Sequence, residues 1–210
     1  MPDAINIEQF LSARGFDLPA ASARAREVLE EQGLTHSGKQ AFARTKLQSA
    51  ERAIASALIR VCGDACLRLD RTGAGAAREA VTVSPQGCEI CGGSNNRRAA
   101  IECVRMLLRR GIQHVVIVGG TDPQQHEVQQ LFSGTGLEFR YVEGTKTSHT
   151  AKDALANKRW AQLVVIWAPT PLKHAVSNLY TQEPLPGVRV VPVSRRGIEA
   201  LCVAITKSYT

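Results

Sequence analysis

No apolar run in this 210-residue chain approaches the ~20 residues that a membrane-spanning helix needs, so no membrane partner is expected. The N-terminus lacks the basic-then-apolar pattern of an export signal, and the expected compartment is the cytoplasm. Internal repeats and low-complexity tracts are also missing. Acidic residues are in short supply: 19 Asp and Glu stand against 26 Lys and Arg, a formal net charge of +7. A pI near 9.3 favours an anionic partner over ordinary surface charge. With 44% hydrophobic residues, the chain can bury one sizeable core and a smaller attached module.

The stretch "GLTHSGKQ" is one letter from a phosphate-binding loop. Gly33, Gly38 and Lys39 keep the G-x-x-x-x-G-K spacing, but Gln40 replaces the Ser or Thr that would bind magnesium. Such a loop needs a buried strand before it, whereas "ARAREVLEEQ" is a charged helix that ends at Gly33. The phosphate-loop reading is therefore set aside. Residues 1–60 read as helical. Ala20 to Gln32 forms one helix, and Phe42, Leu47, Ala50, Ile54, Leu58 and Ile59 recur at helical spacing to Val61. Ser37 can cap the second helix, whose Lys39, Arg44, Lys46, Arg52 and Arg60 face a single acid, Glu51. That pattern fits a DNA-reading helix-turn-helix or a plain helical hairpin.

Cysteines fall in pairs. Cys62-x3-Cys66 and, 21 residues later, Cys88-x2-Cys91 have the spacing of a four-thiolate zinc module over residues 61–93. Gly92 and Gly93 after the second pair suit a knuckle whose backbone N–H groups approach sulfur. Disulfides are the competing reading, but cytosolic thiols stay reduced. Four sulfurs leave no place for water, so the zinc would be structural. Cys103 and Cys202 sit on apolar helix faces and read as core. "SNNRR" follows the knuckle, and its Arg97 and Arg98 either reach nucleic acid or start a solvated helix capped by Ser94.

Residues 94–210 alternate helix and strand. Arg97 to Arg110 is a helix, and "HVVIVGG", "LEFRYVEG", "LVVIWAPT" and "VRVVPV" are strands, with helices expected from Pro123, Thr150, Pro171 and Gly197. The fold class is α/β: a small doubly wound parallel sheet of order 2-1-3-4. Ligands of such sheets bind at the carboxyl ends of the strands, here between the first and third. Gly119, Gly120, Thr121 and Asp122 end the first strand; Thr170 ends the third. Asp122 and Thr170 are expected to cap helices that begin at Pro123 and Pro171. Gly144, Thr145, Lys146 and Thr147, with Lys173, His174, Ser194, Arg195, Arg196 and Gly197, complete a rim suited to a nucleotide or phosphate ligand. The same residues also serve turns and caps in folds without ligands. "GGTD" lacks G-x-G-x-x-G spacing, which argues against a dinucleotide.

"VVIVGGTDPQQHEVQQLF", "RYVEGT", "LVVIWAPTPLKHAVSNLY" and "VSRRGIEAL" resemble a family of uncharacterised bacterial Rossmann-like domains, over about residues 112–206. Its members carry a strand ending in Gly-Gly and a Ser/Thr-x-x-x-His helix start; Gln162 stands where the third strand often begins with Asp. The family has no established reaction, so the resemblance supports the fold and points to His174 without transferring a role. No nucleophile or paired carboxylates stand in a catalytic arrangement. The leading expectation is a nucleic-acid-binding zinc protein, its contacts at Lys39, Arg44, Lys46, Arg97 and Arg98, with a ligand-sensing or homodimerising α/β domain. The alternatives are a metal-free phosphoesterase using His174 with Asp122 or Ser177, and a protein-binding adaptor.

Overall fold

The computed structural model describes residues 4–70, 78–145, 149–168, 172–183 and 185–209. The chain divides into two compact units, Met1–Ser94 and Asn95–Thr210.

In the first unit, β1 (Ala4–Asn6) leads directly into α1 (Ile7–Ala13), where the Asn6 side chain accepts a hydrogen bond from Gln9 N at 3.0 Å. Helix α2 (Pro19–Glu31) starts on a proline, which needs no backbone donor there. It ends in a Schellman turn: Gly33 N donates to Glu30 O and Leu34 N to Leu29 O, with Gly33 at φ +65°. The residues after it do not start a helix. Ser37 and Gly38 form a turn, and β2 (Ala41–Ala43) pairs antiparallel with β1, Ile5 opposite Phe42. This packs the Phe10 ring edge-to-face on Phe42, with centroids 5.1 Å apart.

Helix α3 (Leu47–Ala57) begins only after a short 3-10 turn at Arg44–Lys46. Two of the sequence expectations therefore fail. No three- or four-residue turn joins α2 to α3, so the helix-turn-helix is absent, and Ser37 caps nothing. Residues 58–61 continue the helical stripe in sequence, yet they form β3 (Leu58–Val61). A short, mostly buried run is ambiguous by periodicity alone, and pairing decides it. Strand β3 pairs in parallel with β4 (Glu79–Thr82), and α4 (Asp64–Asp70) lies in the crossover between them. The expected domain boundary at residue 60 thus falls inside a strand, and the cysteines belong to the same unit as the helices.

One close approach fixes this unit. A Cβ on Gly87 would lie 2.5 Å from Gly15 O and 3.2 Å from Gly15 Cα, backbone that no rotamer change can move. Gly87→Ala should cost about 1–3 kcal/mol, read as a lower denaturant midpoint with an unchanged m-value.

In the second unit, α5 (Asn95–Arg109) precedes β5 (His114–Gly119), α6 (Asp122–Phe132), β6 (Glu138–Val142), α7 (Ala151–Trp160), β7 (Leu163–Trp167), α8 (His174–Thr181), β8 (Arg189–Val193) and α9 (Ile198–Lys207). The sheet is parallel with order β6-β5-β7-β8, the expected 2-1-3-4 arrangement. Strand β7 is buried along its whole length and β5 from Val115 to Gly119, so they read as near-continuous apolar runs. Val115, Ile117, Val165 and Trp167 join the face covered by α5, α6 and α9; Val116, Val118, Val164 and Ile166 join the face that carries Ala154, Val176 and Tyr180 of α7 and α8. Helices on both faces make the unit doubly wound.

Tyr141 of edge strand β6 hides its hydroxyl from water with no hydrogen-bond partner, and burial pushes its pKa up to about 12. Tyr141→Phe removes only that unpaired group. It should leave stability unchanged or raise it by ~1 kcal/mol in denaturant titrations.

Candidate functional site

The four paired cysteines converge. Cys62 directly follows β3, Cys66 lies in the first turn of α4, and Cys88 and Cys91 follow β4 through a 3-10 turn at Pro85–Gly87. Their sulfurs all lie within 4.8 Å of one another, with Cys62 Sγ 3.7 Å from Cys66 Sγ and 3.6 Å from Cys91 Sγ. Disulfide sulfurs sit ~2.05 Å apart, so these are free thiols, and the cluster could hold a metal ion. Three of the four are buried; Cys62 is half-buried.

The knuckle prepares sulfur for a metal. Burial acts to raise the Cys88 thiol, but backbone N–H groups of Cys91, Ile90 and Cys62 outweigh it and bring the pKa down to about 7. Gly92 N donates to Cys88 O and Ser94 N to Cys91 O, closing the turn around the pair. Cys62 and Cys66 lack that support: burial pushes Cys62 up to about 11 and Cys66 higher still. A metal must therefore displace protons there, and loading should rise with pH.

The carboxyl edge of the parallel sheet gathers the expected rim. Gly119 ends β5 at the switch point opposite Trp167 of β7. Much of this edge is already engaged. A Cβ on Gly120 would meet Trp167 Cε3 at 2.9 Å, and the indole Nε1 donates to Arg195 O at 3.3 Å. Gln125 Nε2 donates to Gly119 O and Gly120 O at 3.2 and 3.4 Å, and Lys173 N donates to Gly144 O at 2.9 Å. Thr121, not Asp122, is the N-cap of α6: Gln124 Oε1 accepts from both Thr121 N and Thr121 Oγ1 at 3.0 Å. Asp122 is the first helical residue.

Helix α8 starts at His174 with Lys173 as its extended N-cap, three residues beyond Pro171, which lies outside the described residues. Thr170, Lys146 and Thr147 lie outside the described residues. Asp122, Thr145, Lys173, His174, Arg195 and Arg196 are exposed, and Thr145 Oγ1 donates to Glu143 at 2.9 Å. Ser177 Oγ donates to the backbone oxygen of His174 at 3.1 Å, not to its ring. The sequence reading passed over His149, whose Nε2 lies 2.7 Å from the Tyr180 hydroxyl, which also accepts from Asn157 Nδ2 at 2.9 Å. The order of this trio along the chain carries no local signature that would have singled it out.

Compared with models of protein families, with curated proteins and with solved structures, the chain matches none.

The cations expected to meet nucleic acid separate. Lys39, Arg44 and Lys46 belong to the first unit, Arg97 and Arg98 to α5 of the second. Lys46 Nζ donates to Leu34 O at 3.1 Å and Gly33 O at 3.4 Å, so it serves the carboxyl end of α2. Lys39 and Arg44 are exposed. Charge divides just as sharply: Met1–Ser94 holds eleven basic and eleven acidic side chains, Asn95–Thr210 fifteen and eight. The whole surplus belongs to the second unit. Helix α5 concentrates it, with Arg97, Arg98, Arg105 and Arg109 against Glu102 alone, and Arg110 follows directly. Positions 98, 105 and 109 share one helical face, opposite the buried Cys103 and Leu107; Arg109 is exposed, Arg98 and Arg105 are half-buried, and Arg98 donates to Asn95 Oδ1 at 2.9 Å. Among the described residues, no helix is long and apolar enough to cross a membrane.

Proposed function

We propose that this chain binds nucleic acid through the arginine face of α5, and that a structural zinc ion at Cys62, Cys66, Cys88 and Cys91 holds the first unit together. The observation that carries the nucleic-acid reading is the placement of the entire charge surplus in Asn95–Thr210, densest on α5. A helix with three arginines on one face, about 10.5 and 6 Å apart along its axis, suits a row of phosphates better than a single small anion. Lys39 and Arg44 are secondary in this reading, because their unit carries no net charge.

Zinc is supported by the donor set and its spacing. Four ligands at ~2.3 Å in a tetrahedron have sulfurs about 3.8 Å apart. The sulfur separations of 3.6 and 3.7 Å match that edge. Four thiolates close the coordination shell, which supports a structural rather than a catalytic ion. The ion supplies a cross-link; β3, α4 and the knuckle supply its ligands.

Mobility shifts with single- and double-stranded DNA and RNA over a salt series test the reading. Binding that weakens steeply with salt is expected. Absence of binding at low salt would leave the adaptor as the better account, with the α5 face meeting an acidic protein.

A further inference from the structure

The first unit holds a second polar site, separate from the thiolates. A cavity of about 240 Å³ is walled by Arg14, Arg60 and Arg78 with Glu51 and Glu89. Its apolar floor is Phe16, Ile54 and Leu58, which are 3%, 5% and 1% exposed. Three guanidiniums against two carboxylates leave one positive charge in a recess. Arg14 pairs with Glu51. Glu89 is shared: Oε1 accepts from Arg60 Nε at 3.0 Å, and Oε2 from Arg78 at 3.3 Å. Two guanidiniums thus have one carboxylate between them.

These cations are partly withdrawn from water, with side chains 33%, 25% and 27% exposed. Two are also held in place by rings. The Arg14 guanidinium lies 4.2 Å from the Phe10 centroid and that of Arg60 5.4 Å from the Phe16 centroid. Guanidiniums already fixed by stacking lose little further freedom on meeting an anion. A surplus charge in a half-buried recess is best offset by one more negative charge.

The geometry points to this cavity as a binding site for a small organic monocarboxylate with an apolar body. The carboxylate would join Glu89 between Arg60 and Arg78, and the body would lie on the floor of Phe16, Ile54 and Leu58. Pockets for drug-sized ligands span ~300–1,000 Å³, so a cavity of about 240 Å³ selects something smaller. This site does not depend on nucleic-acid binding, because its residues all belong to the unit without net charge.

Benzoate is a suitable probe, with benzyl alcohol as its neutral counterpart and inorganic phosphate as an anion without an apolar body. Titrations of the full metal-loaded chain, followed by amide chemical shifts, should show benzoate binding at least about tenfold more tightly than either. Arg78→Ala should weaken benzoate about tenfold, and Glu89→Gln, which removes the internal competitor, should tighten it. Metal content and far-UV circular dichroism of both variants check that the fold survives. Benzoate no better than benzyl alcohol would overturn the proposal, as would equal affinity in Arg78→Ala or weaker binding in a folded Glu89→Gln. Phosphate outcompeting benzoate would overturn the carboxylate assignment.

Discussion

Stripping the metal should unfold Met1–Ser94 and leave the sheet of Asn95–Thr210 paired. Cys62 follows β3 and Cys66 belongs to α4, while Cys88 and Cys91 come from the far side of the crossover, so one ion bound there would close the loop that joins them. Structural zinc contributes about 10–16 kcal/mol of apparent binding free energy at neutral pH, which is folding free energy when no site pre-exists in the unfolded chain. That is comparable to the whole ~5–15 kcal/mol by which a domain is stable. Amide hydrogen exchange with and without a chelator is the measurement. Protection should vanish in β3 and α3 and persist in β5 and β7. Cys62→Ser or Cys91→Ser should reproduce the loss, while Cys103→Ala, a buried residue outside the cluster, keeps the metal. Loading should also fall as pH drops, because protons return first to Cys62 and Cys66, whose thiols burial pushes up. Unchanged protection of β3 after complete metal removal would rule out a structural ion.

The second unit was legible because its signals are long and redundant. Its four strands, their order and the five-residue buried run of β5 follow from β-branched segments alternating with helices. The first unit was harder to read. Strands β1 and β2 are three residues each, too short for periodicity to register, and each depends on the other for its hydrogen bonds. The stripe from Leu47 to Ile54 runs on without a break into Leu58 and Val61, so only the pairing of β3 with β4 ends the helix. Cysteine spacing worked because tetrahedral chemistry leaves few alternatives. The cavity of Arg14, Arg60 and Arg78 was invisible for the opposite reason: its walls come from four separate elements and loops, and no spacing rule links them. Helix caps were misplaced by one to three residues at α6 and α8, where Thr121 and Lys173 stand one position before the first helical residue.

Replacing Arg98, Arg105 and Arg109 together with Ala should nearly abolish nucleic-acid binding at physiological salt, while Lys39→Ala with Arg44→Ala changes it little. The three positions follow one another by seven and four residues, which returns each to the same side of a helix that turns 3.6 residues at a time. Their backs are anchored: Ala99, Ala100, Cys103 and Leu107 are buried against the sheet side, so the helix cannot roll the arginines away. Each phosphate neutralised adds ~0.9 to the slope of log affinity against log salt on duplex DNA and ~0.7 on single strands. Loss of three contacts should therefore flatten the slope by about 2.7 or about 2.1, which also tells which form is bound. Weakening should be alike for all sequences, since phosphate contacts carry no base information. Charge reversal at Arg109 alone, the most exposed end of the stripe, should already cost more than the Lys39 and Arg44 pair. If the Lys39 and Arg44 variant loses the slope and the α5 variant keeps it, the interface belongs to the first unit, and the charge surplus of Asn95–Thr210 serves some other partner.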